Sequence, residues 1–174
     1  NAFIVIVPKD GEVFTRETLS AIAELEQLAW QVPYSTRVDA ITNFQHTRSV
    51  EDDMYVESLV SDIENNSDST LKSIANIAFN EPVLIDRLIN AKGTVTAVNV
   101  TVNMPIDSLS APMDVMLYVR KMVAEWSVKY PQYDTYISGQ VMLNGSFAEI
   151  TIKDIGTLVP LMFLVILIMV FLTT

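Results

Sequence analysis

The chain has 174 residues, no cysteine and a formal net charge of −10. Without cysteine it has no disulfide framework and no thiolate metal or redox site. An acidic balance argues against a nucleic-acid partner, which needs basic patches, and against adsorption to anionic lipid headgroups.

The chain opens on "NAFIVIVP", with neither a methionine nor the basic start of a signal peptide, and reads as an excised piece of a longer protein. "AFIVIV" (2–7) is a β-branched apolar run closed by "PKDG", the pattern of a buried strand and a turn. Residues 14–30 form a helix. Thr15 is its N-cap, Glu17 sits in the first turn, and Phe14 and Leu19 occupy the positions of a hydrophobic staple. Leu19, Ile22, Leu25 and Ala29 give it one apolar stripe. "STRVDAIT" (35–42) is the second strand and completes a βαβ unit.

Every charged residue between Arg48 and Lys72 is acidic, which reads as a solvated face. "DIENNSD" within it lacks the glycine and terminal glutamate of a calcium loop. Residues 69–80 and 82–90 read as two short helices divided by Pro82. "TVTAVNVTVNM" (94–104) is a strand with Thr96, Val98, Val100, Val102 and Met104 on its core face and Asn99 on the other. A helix follows over 112–130, with Met116, Val119, Val123, Trp126 and Tyr130 along one side; Pro131 stops it. "YDTYISG" (133–139) is a further strand, and a last helix starts near Asn144.

That helix runs into "DIGTLVPLMFLVILIMVFLTT", in which no charged residue follows Asp154. Twenty helical residues reach about 30 Å, one hydrocarbon thickness. The stretch is apolar on every face, unlike a core helix with a polar side, and predicts a membrane span. Pro160 lies near the start of the apolar run, where its missing N–H costs least. No basic residue closes the far end, so flanking charge does not fix orientation.

The order β-α-β, insertion, β-α-β, span predicts an α+β fold. Two βαβ halves close into a ferredoxin-like split βαβ sandwich with a mixed sheet on one side and helices on the other. Residues 1–150 form the domain (βαβ 2–43, helical insertion 44–92, βαβ 94–139), and residues 151–174 begin the transmembrane helix. Enzymatic signatures are missing from the sequence. His46 is the only histidine, and neither a phosphate loop nor a nucleophile elbow occurs. No cofactor or resident metal is expected. The eight methionines suit packing better than soft-metal capture.

Two stretches carry a family resemblance. "YSTRVDAITNFQHTRSVEDDMYVESLV" (34–60) resembles the segment after the first βαβ unit of resistance–nodulation–division (RND) transporters, nearest the predicted-exporter branch related to MMPL lipid exporters. "GSFAEITIKDIGTLVPLMFLVILIMVFL" (145–172) resembles the junction of that family's porter domain with its second transmembrane helix, where an acidic residue and a proline, here Asp154 and Pro160, mark the membrane entry. The resemblance implies a periplasmic porter domain in a bacterial inner-membrane exporter that is driven by protons and carries hydrophobic or lipid-like cargo. Its partners would be the bilayer, the cargo and the rest of the transporter with a second porter domain; oligomerisation is left open. The proton relay lies in later helices of such transporters, so no coupling residue transfers to this chain.

On this reading Lys153, Asp154 and Pro160 form the membrane-entry junction. The insertion residues Ile74, Ile77, Phe79, Leu84 and Leu88 are the candidates for a greasy substrate cleft, unless they simply pack on the sandwich. Two other readings compete: a tail-anchored protein that binds a partner through its acidic insertion, and a metal-efflux relative that uses methionines.

Overall fold

A computed structural model describes residues 1–173 except 51, 52, 64, 106 and 109, with the backbone alone at 48–50, 53 and 55. The elements run β1 (Ala2–Pro8), α1 (Arg16–Ala29), β2 (Ser35–Asp39), β3 (Gln45–Val50), β4 (Asp53–Ser58), α2 (Asp68–Asn80), β5 (Thr96–Val102), α3 (Ala111–Lys129), β6 (Tyr133–Ser138) and α4 (Gln140–Thr173). The fold is α+β, a four-stranded sheet with helices and a long apolar C-terminal helix.

Strand order in the sheet is β2-β5-β1-β6, and every neighbouring pair is antiparallel. The expected mixed sheet is therefore corrected. The βαβ connection from β1 to β2 spans β5, and that from β5 to β6 spans β1, so parallel strands never become neighbours.

Alternation sets the two faces of the sheet. Ala2, Ile4 and Ile6 of β1 and Val98 and Val100 of β5 are fully buried on the helix side. Leu19, Ile22, Leu25 and Ala29 of α1 join them, as their helical spacing requires. Thr15 caps α1 by accepting from the Thr18 N–H at 3.1 Å. Trp126 of α3 is 2% exposed, and its indole N–H donates to the Ala21 carbonyl at 3.2 Å. Each large side chain buried in this way contributes about 1.5–3 kcal/mol. Tyr130 and Tyr133 extend the ring cluster, with centroids 4.9 and 5.6 Å from Trp126.

At the rim of this core, α1 and α3 are tied by charge. Lys129 Nζ donates to both Glu24 carboxylate oxygens at 2.6 Å, and the Tyr130 hydroxyl donates to Glu24 Oε2 at 2.7 Å. The hydrogen bond from Lys129, then that from Tyr130, holds the Glu24 carboxyl below its ordinary range. The same bond to Glu24 raises Lys129. A depressed carboxyl stabilises the fold above its unfolded pKa, and that stability is lost as pH falls through the folded value. A raised lysine stabilises below its unfolded pKa, and that is lost as pH rises through its folded value. The tie holds between the two. Glu24→Gln should lower the melting temperature at neutral pH, with the gap closing once the wild type is acidified below the carboxylate range. A gap of equal size in strong acid would contradict this; because the pair is exposed, the effect is small.

The insertion is not wholly helical. It opens with the hairpin β3–β4, registered from Gln45↔Ser58 to Val50↔Asp53 and forming a sheet of its own. Of the acidic run, Glu57, Asp62 and Asp68 are exposed; Glu51, Asp52 and Glu64 lie outside the described residues. Helix α2 follows as expected, capped by the Ser67 hydroxyl, which accepts from the Thr70 N–H at 3.2 Å. The second short helix (82–90) does not form. Asp86 adopts φ +59, which breaks the helical path, and its N–H turns to the Ile89 carbonyl at 2.8 Å. Ile89 instead forms a bridge with Thr96 at the start of β5.

Helix α4 starts at Gln140, four residues earlier than expected, immediately after Gly139. Gly139 has φ +115, and a Cβ there would stand 2.4 Å from the Asn1 carbonyl oxygen. Only glycine lets the chain turn from β6 into α4 against the start of β1. The expected border between residues 150 and 151 falls inside this one helix, with no linker.

Candidate functional site

Two features stand out: the junction where α4 leaves the domain, and a cleft over the sheet face that the helices leave open.

At the junction, α4 lies against α3. Val141, Met142 and Gly145 are buried there. A Cβ on Gly145 would stand 2.7 Å from Met116 Cβ and 2.8 Å from the Pro112 carbonyl oxygen, so the two backbones meet at a distance only glycine permits. One turn on, Arg120 Nη1 donates to Glu149 Oε2 at 2.8 Å and Nη2 to Ser146 Oγ at 3.3 Å. This clasp was not read from the sequence. Its one signal is a lone glycine in "NGSFAE", where a close helix approach demands a small residue.

Beyond Glu149 no described side chain of α4 is buried. Residues 151–173 reach about 34 Å as a helix, enough to cross a hydrocarbon layer. Lys153, Asp154 and Pro160 all lie on this free rod. Pro160 lies near the start of the apolar run, as read from the sequence, but deep inside α4, so its missing N–H is not at the inexpensive first turn. It has no N–H for the Gly156 carbonyl, a gap that membrane helices tolerate. Thr157 Oγ1 donates to the Lys153 carbonyl at 2.8 Å just before it.

The cleft measures about 740 Å³, within the range of small-molecule sites. Its floor is a row across three strands, Asp39 of β2 opposite Asn99 of β5 opposite Phe3 of β1. Asp39 is held on both oxygens: Arg37 Nε donates to Oδ1 at 2.5 Å and Asn99 Nδ2 to Oδ2 at 3.2 Å. Asn99 Oδ1 is buried with no hydrogen-bond partner among the described residues. Asn43 fixes the turn after β2, with Nδ2 donating to the Val38 carbonyl at 2.8 Å and Oδ1 accepting from the Ala40 N–H at 2.9 Å. The insertion adds Phe44, Val83, Asp86, Arg87 and Leu88 to the lining.

The five insertion residues expected to form a cleft do not share one. Ile74, Leu84 and Leu88 are buried in the core cluster, and Ile77 packs against it half-buried. Their apolar spacing serves packing rather than an open surface. Leu88 alone reaches the sheet cleft. Phe79 is 37% exposed and lines a separate hollow of about 540 Å³, where its ring meets Phe14 edge-on at 5.5 Å. Met116, Met122 and Met142 are buried, in keeping with packing.

Comparison with family models, with curated proteins and with solved structures finds no match to this chain.

Proposed function

We propose that the chain is the first extracytoplasmic porter domain, with the start of the second membrane helix, of a proton-driven RND-type exporter of hydrophobic or lipid-like molecules. One observation carries the reading: α4 continues without a break from the sheet domain into a bare apolar rod. An anchor needs only a tether, whereas a transporter needs a stiff link between the membrane and the domain that handles cargo. The strand order supports it too, since β2-β5-β1-β6 is the order of a ferredoxin-like split βαβ sandwich, the porter architecture that the resemblance implies. The cell membrane would hold α4, with residues 1–150 on the periplasmic side.

In this account the domain performs no covalent chemistry. It moves as a rigid body on α4 and opens a cleft to one side at a time. The sheet cleft is the better place for cargo than the insertion residues read from sequence, because Phe3, Phe44 and Val83 offer apolar surface beside the polar Asp39 and Asn99.

The natural reading frame tests the proposal. It should carry a span before Asn1 and run past Thr174 through several more spans and a second βαβ-rich domain. A frame that stops within a few residues of Thr174 would contradict it and make a tail-anchored, partner-binding protein the better account.

A further inference from the structure

The charged side chains that line the sheet cleft are two guanidinium and two carboxylate groups. They differ in how they are spent. Arg37 and Asp39 pair with each other, and Asn99 takes Asp39's second oxygen. Asp86 and Arg87 are exposed, and neither side chain has a hydrogen-bond or ion-pair partner among the described residues, the other included. They stand together on the turn that replaces the expected helix. Asp86 sits at φ +59, a left-handed conformation that aspartate and asparagine adopt more readily than most residues. Beside them lies apolar surface: Val83 is 53% exposed, and Phe3 and Phe44 are half-buried.

We infer that this cleft binds a zwitterionic amphiphile, its anionic group on Arg87, its ammonium on Asp86 and its hydrocarbon along Val83, Phe44 and Phe3. A purely anionic head would satisfy Arg87 but face the Asp86 carboxylate, and a cationic head would face the converse. An uncharged head would leave both unpaired next to apolar ligand, where desolvation is unfavourable. A head with both charges leaves neither stranded. This deepens the cargo reading by naming the head-group chemistry, and it depends on the cleft and not on proton-driven export.

The test uses the full chain in amphipol and dihexanoylphosphatidylethanolamine as the probe. The comparators are dihexanoylphosphatidic acid (anion and tails), dihexanoylglycerol (tails alone) and phosphoethanolamine (head alone). The zwitterionic lipid should bind at least about tenfold more tightly than each of them. Asp86→Asn, which suits the left-handed backbone, should weaken the zwitterion about tenfold and leave phosphatidic acid unchanged or tighter. Arg87→Gln should weaken both. Unchanged melting temperatures show that these exposed substitutions leave the fold intact. Equal binding of phosphatidic acid, or an Asp86→Asn chain that binds the zwitterion as before, would overturn the assignment. So would phosphoethanolamine binding as tightly as the lipid, since the apolar wall would then contribute nothing. If the lipid binds as expected but the reading frame ends near Thr174, the cleft assignment stands and only the exporter reading falls.

Discussion

Gly145→Ala should lower the melting temperature of the chain by about 2–8 °C, while Gly156→Ala on the same helix leaves it unchanged or raises it. A helix-interior glycine replaced by alanine gains up to about 1 kcal/mol from backbone entropy. At Gly156 that gain is free, since a Cβ there meets nothing within 4 Å. At Gly145 the new methyl would meet Met116 Cβ at 2.7 Å and the Pro112 carbonyl oxygen at 2.8 Å. Neither is the tip of a flexible side chain, so one helix must shift. Overpacking of this kind costs about 1–3 kcal/mol. The shift would also pull Ser146 and Glu149 from Arg120. Thermal melts of both variants in a Trp30→Phe background, followed by the fluorescence of buried Trp126, decide the matter. Equal behaviour of the two would mean that α4 is not seated on α3 as described.

On the proposed exporter reading, inserting Gly-Gly after Lys153 in the intact protein should abolish export and leave the domain's melting temperature unchanged. The insertion falls between the clasp on α3 and the apolar run. Two glycines cost about 2 kcal/mol of helix propensity and leave a pivot in place of a rod. Four alanines at the same place add about one turn and keep the rod stiff and nearly in phase. They should retain more export than Gly-Gly. Complementation of a strain deleted for the protein reads the outcome. Full complementation by the Gly-Gly variant would show that the domain need not be rigidly coupled to the membrane.

What the sequence revealed and what it hid divide along physical lines. β1, α1, β5 and α3 were legible because each buries one face, so its apolar residues recur at the period of its own geometry. Thr15 announced α1 by chemistry alone. The hairpin β3–β4 escaped because its strands pair with each other, away from the main sheet, and "QHTRSV" and "DMYVES" carry little apolar alternation. The segment 82–90 misled for the opposite reason. Leu84, Leu88 and Ile89 sit at helical spacing and are buried, but consecutive turns bury them as well as a helix would, and Asp86 breaks the path.

The cleft was hardest to see. Phe3, Asp39 and Asn99 are far apart in the chain and become neighbours only through strand register. The alternation of β5 did put Asn99 on the face away from the core, yet nothing local to it named Asp39 or Phe3 as companions. The interhelical clasp was hidden likewise, because Arg120 and Glu149 lie on different helices and meet only at the close approach that Gly145 allows.

In the proposed arrangement a domain outside the cell membrane is fused to a helix that enters it. These 174 residues contain no cysteine, so once any cysteine elsewhere in the natural protein is replaced by serine, single introduced cysteines report position without background. Lys72→Cys lies on the exposed side of α2, and Leu164→Cys lies on the bare rod of α4. With a membrane-impermeant maleimide on intact cells, Lys72→Cys should label readily, and Leu164→Cys only after detergent is added. Labelling of Leu164→Cys in intact cells as fast as Lys72→Cys, or of Lys72→Cys only after lysis, would contradict the account.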